Sequence, residues 1–254
     1  MAGGSTAPGE SVLARALTLL RAFDEFHAAL PLADLVSRSG LPRSTAHRLA
    51  TELVSLGLLD RLDDGRYVVG TGLWELGELS PVSLRLREVA LPHLLELYEA
   101  TGENVHLGIR VDDAALYVAR VAGHRSIPTL SRMGGRLPLH TTGIGRAMLA
   151  ASDDTWLAAY WRRPRDRETV HSIIEEHTLR ERVAEARRLG YAVTRQEQSL
   201  GNVSIASALP PVPGLPPSAV GIVVHLARAQ ESRLAPLVVR AAQSIAADLS
   251  HWMG

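Results

Sequence analysis

The densest run of chemistry-bearing side chains lies in LPRSTAHRLATELVSLGLLDR, residues 41–61. Its front half carries Arg43, Ser44, Thr45, His47, Arg48 and Thr51, and its back half carries evenly spaced leucines. From Pro42 to Thr51 there are two arginines and no acid. Guanidinium forks and short hydroxyls donate hydrogen bonds to anionic oxygens and base edges, and a helix beginning here adds the free amides of its first turn. Such a surface fits the major groove of duplex DNA. There, the N-terminal residues of the second helix of a helix-turn-helix meet base edges, while phosphate contacts set the register. Arg48 is assigned to a base or a phosphate, Ser44 and Thr45 to phosphates and Arg43 to either, with His47 and Thr51 on the same face. Arg61 and Arg66 flank an Asp64-Gly65 turn and could hold the neighbouring backbone or reach into the minor groove. Against this stands the reading of an ordinary solvated helix face. Residues 1–80 hold seven arginines against ten acids, a formal charge of −3, which is hardly a basic domain. The positive charge is local to the helix, and topology must decide.

A second concentration is RLPLHTTGIGRAM, residues 136–148, which could bring a strand end, a loop and a helix N-terminus together. Amides in that geometry receive a carboxylate or a similar acceptor; tight packing of small residues is the competing reading. A dinucleotide site is the weaker reading of GIGRAM, because a complete G-x-G-x-x-G in a βαβ unit is missing. His140 beside Thr141 and Thr142 could be arranged catalytically, yet there is no G-x-S-x-G elbow and no H-E-x-x-H, so an enzyme is the minor reading. All 27 basic residues are arginine, which removes Schiff-base chemistry and a Walker A lysine. The absence of cysteine removes disulfides, thiolate nucleophiles and sulfur-ligated zinc, leaving ten histidines as possible metal ligands. No catalytic residue, cofactor or metal site is assigned.

These residues need elements to hold them. Val12, Leu13, Ala16, Leu19, Leu20 and Phe23 recur at helical spacing, predicting a helix over 11–26 with Ser11 as its cap. LADLVSRSG predicts a short second helix ended by Gly40. In the third, Pro42 suits the first turn, Ala46, Leu49, Leu53 and Leu56 form the buried stripe, and Gly57 stops it. LLDRLDDGRYVVG then predicts a two-residue hairpin at Asp64-Gly65. Three helices and a hairpin make a winged helix-turn-helix over residues 11–70, after a flexible start at 1–10. A connecting helix follows over about 71–82, within a linker at 71–84, and then a helix from Leu84 to Ala100 that Pro92 bends or breaks.

The remainder, 85–254, changes style. ENVHLGIRV and ALYVARVAG flank Asp112-Asp113 as a hairpin, SIPTLS could be another strand, and TGIGRAMLAA begins a helix. LRERVAEARRLG is helical, YAVTR, VSIASAL and AVGIVVHLA are strands, PPVPGLPP is a loop, and a last helix spans about 231–252. Mixed elements with hairpins predict an α+β effector domain whose antiparallel sheet is flanked by helices. At 254 residues, two modest domains are expected, and 46% hydrophobic against 21% charged residues lies well away from the disordered regime. With no apolar run long enough to span a membrane, and no basic group in the first ten residues, a cytoplasmic protein is expected.

Four stretches, SVLARALTLLRAF, LPRSTAHRLATELVSLGLLDR with GRYVVGTGLWELG, GGRLPLHTTGIGRAMLA and RRLGYAVTRQEQSLGNVSIASAL, occur in the order in which they occur in IclR-type bacterial transcription regulators. The chain resembles that family over nearly its whole length. The resemblance implies an N-terminal winged helix-turn-helix, a linker helix and an effector domain with a six-stranded antiparallel sheet. It also implies dimers, often paired into tetramers, on palindromic or repeated double-stranded operator DNA, with the first and linker helices as dimer contacts. Repression of a catabolic operon in response to a small-molecule effector is the expected function. The alternative is a ligand-binding or protein-interaction module without DNA binding.

By the same resemblance, Gly143 and Ile144 match positions whose amides meet small acid effectors. Elsewhere the chain departs from the acid-binding pattern. Thr194 stands where an Asp is often found, Ser204 at the usual Cys, Ala208 at a common Pro, and Val223 and His225 where two serines line the pocket. These changes remove a charge and a hydroxyl and add a ring. With Ile127, Leu130, Met133 and Leu137 as an apolar wall and His140 nearby, they point to a larger, aromatic or amphipathic effector anchored by His225 or Thr194. A strand histidine facing solvent, or satisfied by backbone, is the competing reading of His225.

Overall fold

Ser11 opens the first helix as expected: its hydroxyl accepts from the Ala14 amide at 3.1 Å, capping α1 (Val12–Leu20). The computed structural model describes residues 11–24, 26–122 and 131–251 and divides into two units, Met1–Ser80 and Pro81–Gly254. Helix α1 ends at Leu20, short of the expected residue 26. Beyond it, the Asp24 carboxylate takes the Phe26 amide, the His27 ring and the Arg38 guanidinium, fixing a turn in place of further helix.

The two-residue strand β1 (Ala29–Leu30) has no periodicity to betray it, and the sequence reading missed it. Helix α2 (Leu32–Ser39) ends at Gly40, whose φ of 68° is the left-handed cap expected there. Helix α3 (Arg43–Ser55) buries Ala46, Leu49 and Leu53. Leu56 is a correction: it is 64% exposed, because it is the cap residue just past the helix, where Gly57 turns the chain away, and Ala50 completes the buried face instead.

Strands β2 (Leu59–Arg61) and β3 (Tyr67–Val69) form the hairpin, and β1 adds to β3 to give the order β1-β3-β2. Its turn is also a correction. Leu62 and Arg66 bracket three residues, with the Leu62 amide donating to Arg66 O (2.8 Å) and the Gly65 amide to Leu62 O (2.9 Å). A two-residue type I′ turn needs positive φ at both central positions, and here Gly65 has it (φ 82°) while Asp64 does not. Helix α4 (Thr71–Glu78) closes the unit, four residues shorter than expected.

In the second unit, a π-helical turn (Val82–Arg87) runs into α5 (Glu88–Thr101). Pro92 stands inside α5 without breaking it, and the π-helical turn precedes it. Strands β4 (Asn104–Val111) and β5 (Ala114–Val121) pair through Asp112, at φ 56°. There follow β6 (Arg136–Pro138), α6 (Gly143–Ala151), α7 (Asp154–Trp161), α8 (Glu176–Leu189), β7 (Ala192–Arg195), β8 (Asn202–Ala208), β9 (Ser218–His225) and α9 (Glu231–His251). Helix α7, capped by Asp153, was not anticipated. The segment SIPTLS, except Ser131, lies outside the described residues.

Among the described residues these strands form one antiparallel sheet, ordered β6-β5-β4-β9-β8-β7. Alternation sends Leu107, Ile109, Val203, Ile205, Val220 and Ile222 to the side covered by α5 and α9. The opposite face is small-residued, with Ala115, Ala206 and Ala219 against Ile144, Met148 and Leu179 of α6 and α8. A Cβ on Gly108 would strike Ile144 at 2.8 Å, so glycine lets α6 settle directly on the sheet. Among the described residues no helix is long and apolar enough to cross a membrane, and no group of three or more His, Asp or Glu side chains is arranged to hold a metal ion.

Candidate nucleic-acid interface and ligand cavity

Packing of Ala46, Leu49, Ala50 and Leu53 into the first unit's core fixes what α3 shows outside. Arg43, Ser44, His47, Arg48 and Thr51 are exposed and Thr45 is half-buried. Arg48 sits 3.5 Å from Glu52 one turn on, with both side chains more than half exposed, a loose pair that a phosphate or base can displace. The Thr51 hydroxyl donates to His47 O (2.9 Å), leaving Thr51 only its oxygen to offer a ligand. At the hairpin, Asp64 takes the Arg66 amide (3.0 Å) and guanidinium (2.7 Å), and these bonds hold its carboxyl below the usual range. The Arg61 guanidinium lies 5.5 Å from the centre of the Tyr67 ring. Both wing arginines are therefore pre-oriented, one by a carboxylate and one by a ring.

The second unit contains a small cavity of about 40 Å³, open at its mouth, on the sheet face that carries α6. Leu137, Thr194, Ser204 and Val223 line it, four of the positions singled out from the sequence. So do Tyr117, Ser131, Thr141 and Thr142, which the sequence reading did not assign to it as lining groups. The β7–β8 loop supplies Glu197, Gln198 and Ser199, and Asn202 at the start of β8 joins them. That loop is pinned: Gln196 adopts φ 59°, its side-chain oxygen accepts from the Gly201 amide (3.0 Å), and Ser172 Oγ donates to Glu197 O (2.7 Å).

Helix α6 starts at this cavity. Thr142 caps it by accepting from the Gly145 amide (3.1 Å), and the amides of Gly143 and Ile144 precede any intrahelical acceptor. Gly143 is buried against Ser204, with no room for a Cβ, so tight packing applies at this glycine, and neither it nor Ile144 lines the cavity. Ile144 is buried below, 2% exposed.

Three further residues expected at the effector site do not line the cavity. Met133 is exposed. His140 is buried, but its Nε2 lies 2.9 Å from Asp166 O and burial pushes its pKa down. His225 ends β9 on the same face as Val223, but at the sheet's margin, exposed, where its Nδ1 accepts from the Ala227 amide (3.2 Å). The backbone-satisfied alternative holds for it. Ala208 is half-buried at the end of β8, outside the cavity, and Ile127 and Leu130 lie outside the described residues.

Two buried polar pairs stand behind the wall. Arg146 grips Glu197 through two nitrogens (2.9 and 2.5 Å), so the carboxylate at the cavity is neutralised. His106 Nε2 lies 2.8 Å from Ser131 Oγ, and burial, then the Arg120 charge, push the imidazole down to about 3. An imidazole so weakly basic, with its Nδ1 buried and unpartnered, lacks both the basicity and the orienting group of a hydrolytic base. At His140, Thr141 donates to Gln198 and Thr142 to Pro138 O, so neither hydroxyl meets the imidazole. The cavity is built to bind.

Residues 12–63 match the family described as IclR helix-turn-helix domain, and residues 80–251 match Bacterial transcriptional regulator IclR C-terminal. The Pca regulon regulatory protein of Pseudomonas putida is 31% identical over 245 residues, 94% of this chain and 82% of that protein. The acetate operon repressor of Salmonella typhimurium is 27% identical over 240 residues, 92% and 88% of the two chains. The crystal structure of an IclR homolog from Microbacterium hydrocarbonoxydans complexed with 4-hydroxybenzoate is 31% identical with a TM-score of 0.88, covering 95% of this chain and all of that one.

Proposed function

From the premise that the chain belongs to the IclR family of bacterial transcriptional regulators, we propose that it represses a catabolic operon and answers to a small aromatic acid or its amide-like derivative. The observation that carries the DNA half is the exposed Arg43–Thr51 face of α3, free of acid until Glu52. Arg48 and Arg43 meet bases or phosphates, Ser44, Thr45 and His47 the adjoining backbone, and Arg61 and Arg66 the flanking groove. The sensing half rests on the open cavity ringed by hydroxyls and side-chain amides and lined by Leu137 and Val223 where α6 begins, which must widen from about 40 Å³ to admit a ring.

The protein works as a homodimer, with pairing of dimers as a further step. Leu13 of α1 and Trp74 of α4 are 82% and 67% exposed, large apolar groups suited to a second copy. One such module gains specificity when symmetry supplies a second half-site. Effector binding then changes the placement of two DNA-binding units through the linker at residues 71–84. A gel shift with the DNA upstream of its own gene tests the DNA half. Wild-type protein retards it at low salt and Arg48→Ala retards it less; no shift at low salt favours a ligand-binding module without DNA.

A further inference from the structure

The cavity contains a polar device that binding through the α6 amides does not use. His106 of β4 is 1% exposed and Ser131 4% exposed, and they touch at 2.8 Å. A register shift between Leu107 and Gly108 marks a bulge in the β4–β5 pairing, and the Tyr117 ring meets the His106 ring edge-on at 5.5 Å. Ser131 and Tyr117 line the cavity, whereas the imidazole lies behind them.

A neutral imidazole has one N–H and one lone pair. Its Nε2 faces Ser131 and its Nδ1 is buried without a partner. A buried N–H left unpaired is rarer than an under-satisfied acceptor, so the proton belongs on Nε2, donating to Ser131 Oγ. The serine O–H is then left for whatever fills the cavity, with its second lone pair beside it. A group that both accepts and donates, a hydroxyl, satisfies both.

We propose that Ser131, positioned by His106, reads an uncharged hydroxyl on the effector. This rests on the aromatic-effector reading above. Ser131 lines the cavity together with Tyr117 on β5 and Ser204 on β8. His106 is a positioning residue and Ser131 sets specificity.

Calorimetric titration of the full chain with 4-hydroxybenzoate and with benzoate tests it. Wild type prefers the hydroxylated ring by about tenfold, the scale of one well-made buried hydrogen bond. Ser131→Ala lowers 4-hydroxybenzoate affinity to that of benzoate and leaves benzoate unchanged. His106→Leu does the same, and His106→Gln, which restores a donor, recovers part of the preference. A merely structural role would weaken both ligands equally, and that outcome, or an unchanged preference in Ser131→Ala, overturns the proposal. If neither compound binds the wild type, the aromatic-effector reading falls and this inference falls with it; if benzoate binds as tightly as 4-hydroxybenzoate, only the inference falls.

Discussion

Arg146 and Glu197 form a two-pronged ion pair in the interior, with side chains 1% and 6% exposed, tying the first turn of α6 to the β7–β8 loop. Arg146 also donates to His140 O (2.5 Å) and Val193 O (3.3 Å). The pair thus fixes two walls of the cavity at once.

Removing one partner leaves the other charged and buried, which costs about 3–5 kcal/mol. Glu197→Gln and Arg146→Met should each lower the unfolding free energy of the effector-binding unit by that amount, and its denaturant midpoint accordingly. The double variant Arg146→Met/Glu197→Leu should be markedly more stable than either single one. Urea titration followed by circular dichroism reads all three; additive losses would show that the two side chains act independently.

Acid should weaken the fold through His106. Its pKa is about 3 when folded, against 6.5 for the free side chain. As pH falls below 6.5 the unfolded chain takes up a proton that the folded chain refuses, so stability drops, with a slope approaching about 1.4 kcal/mol per pH unit down to pH 3. His140, whose pKa is also lowered, adds in the same direction. Urea midpoints between pH 7 and pH 4 should fall less steeply in His106→Gln than in wild type.

At the wing, Asp64 both restrains Arg66 and adds a negative charge where DNA would approach. Asp64→Asn should tighten binding to any duplex and steepen its salt dependence, whereas Arg66→Ala should weaken it across sequences and reduce the log–log salt slope by about one. Fluorescence anisotropy at several salt concentrations separates these. Arg48→Ala should instead erode discrimination between operator and random DNA, by about 1–3 kcal/mol if it meets a base edge.

A methyl group added at Gly143 would enter the space of Ser204. Gly143→Ala should therefore push α6 off β8, weakening ligand binding and lowering the melting temperature together, and Ser204→Ala in the same chain should restore part of both by removing the hydroxyl. Calorimetry on the single and double variants measures this, and an unaffected Gly143→Ala would separate the α6 amides from the ligand.

Repeated local patterns made much of the fold legible. Leucine spacing gave α3, and Gly40 and Gly57 gave helix ends because their φ near 68° is open to glycine and costly for most other residues. What sequence could not show were the outcomes of competition in space. Leu56 continues the stripe on paper but falls past the last helical turn. His225 shares a face with Val223 but lies where the sheet ends. Glu197 looks like one more acid in a polar turn until a buried arginine 51 residues away claims it. His106 differed in kind: one imidazole in the apolar alternation of NVHLGIRV was a visible anomaly, and its partner Ser131 lies across the sheet from any local pattern.

The most direct test of the account is anisotropy of the labelled upstream DNA titrated with the full chain, with and without saturating 4-hydroxybenzoate. A coupling of about 1–3 kcal/mol predicts that ligand shifts operator affinity about 5- to 150-fold, and that Gly143→Ala binds the DNA but loses the shift. Ligand bound with no change in operator affinity, in a protein that does bind that DNA, would contradict it.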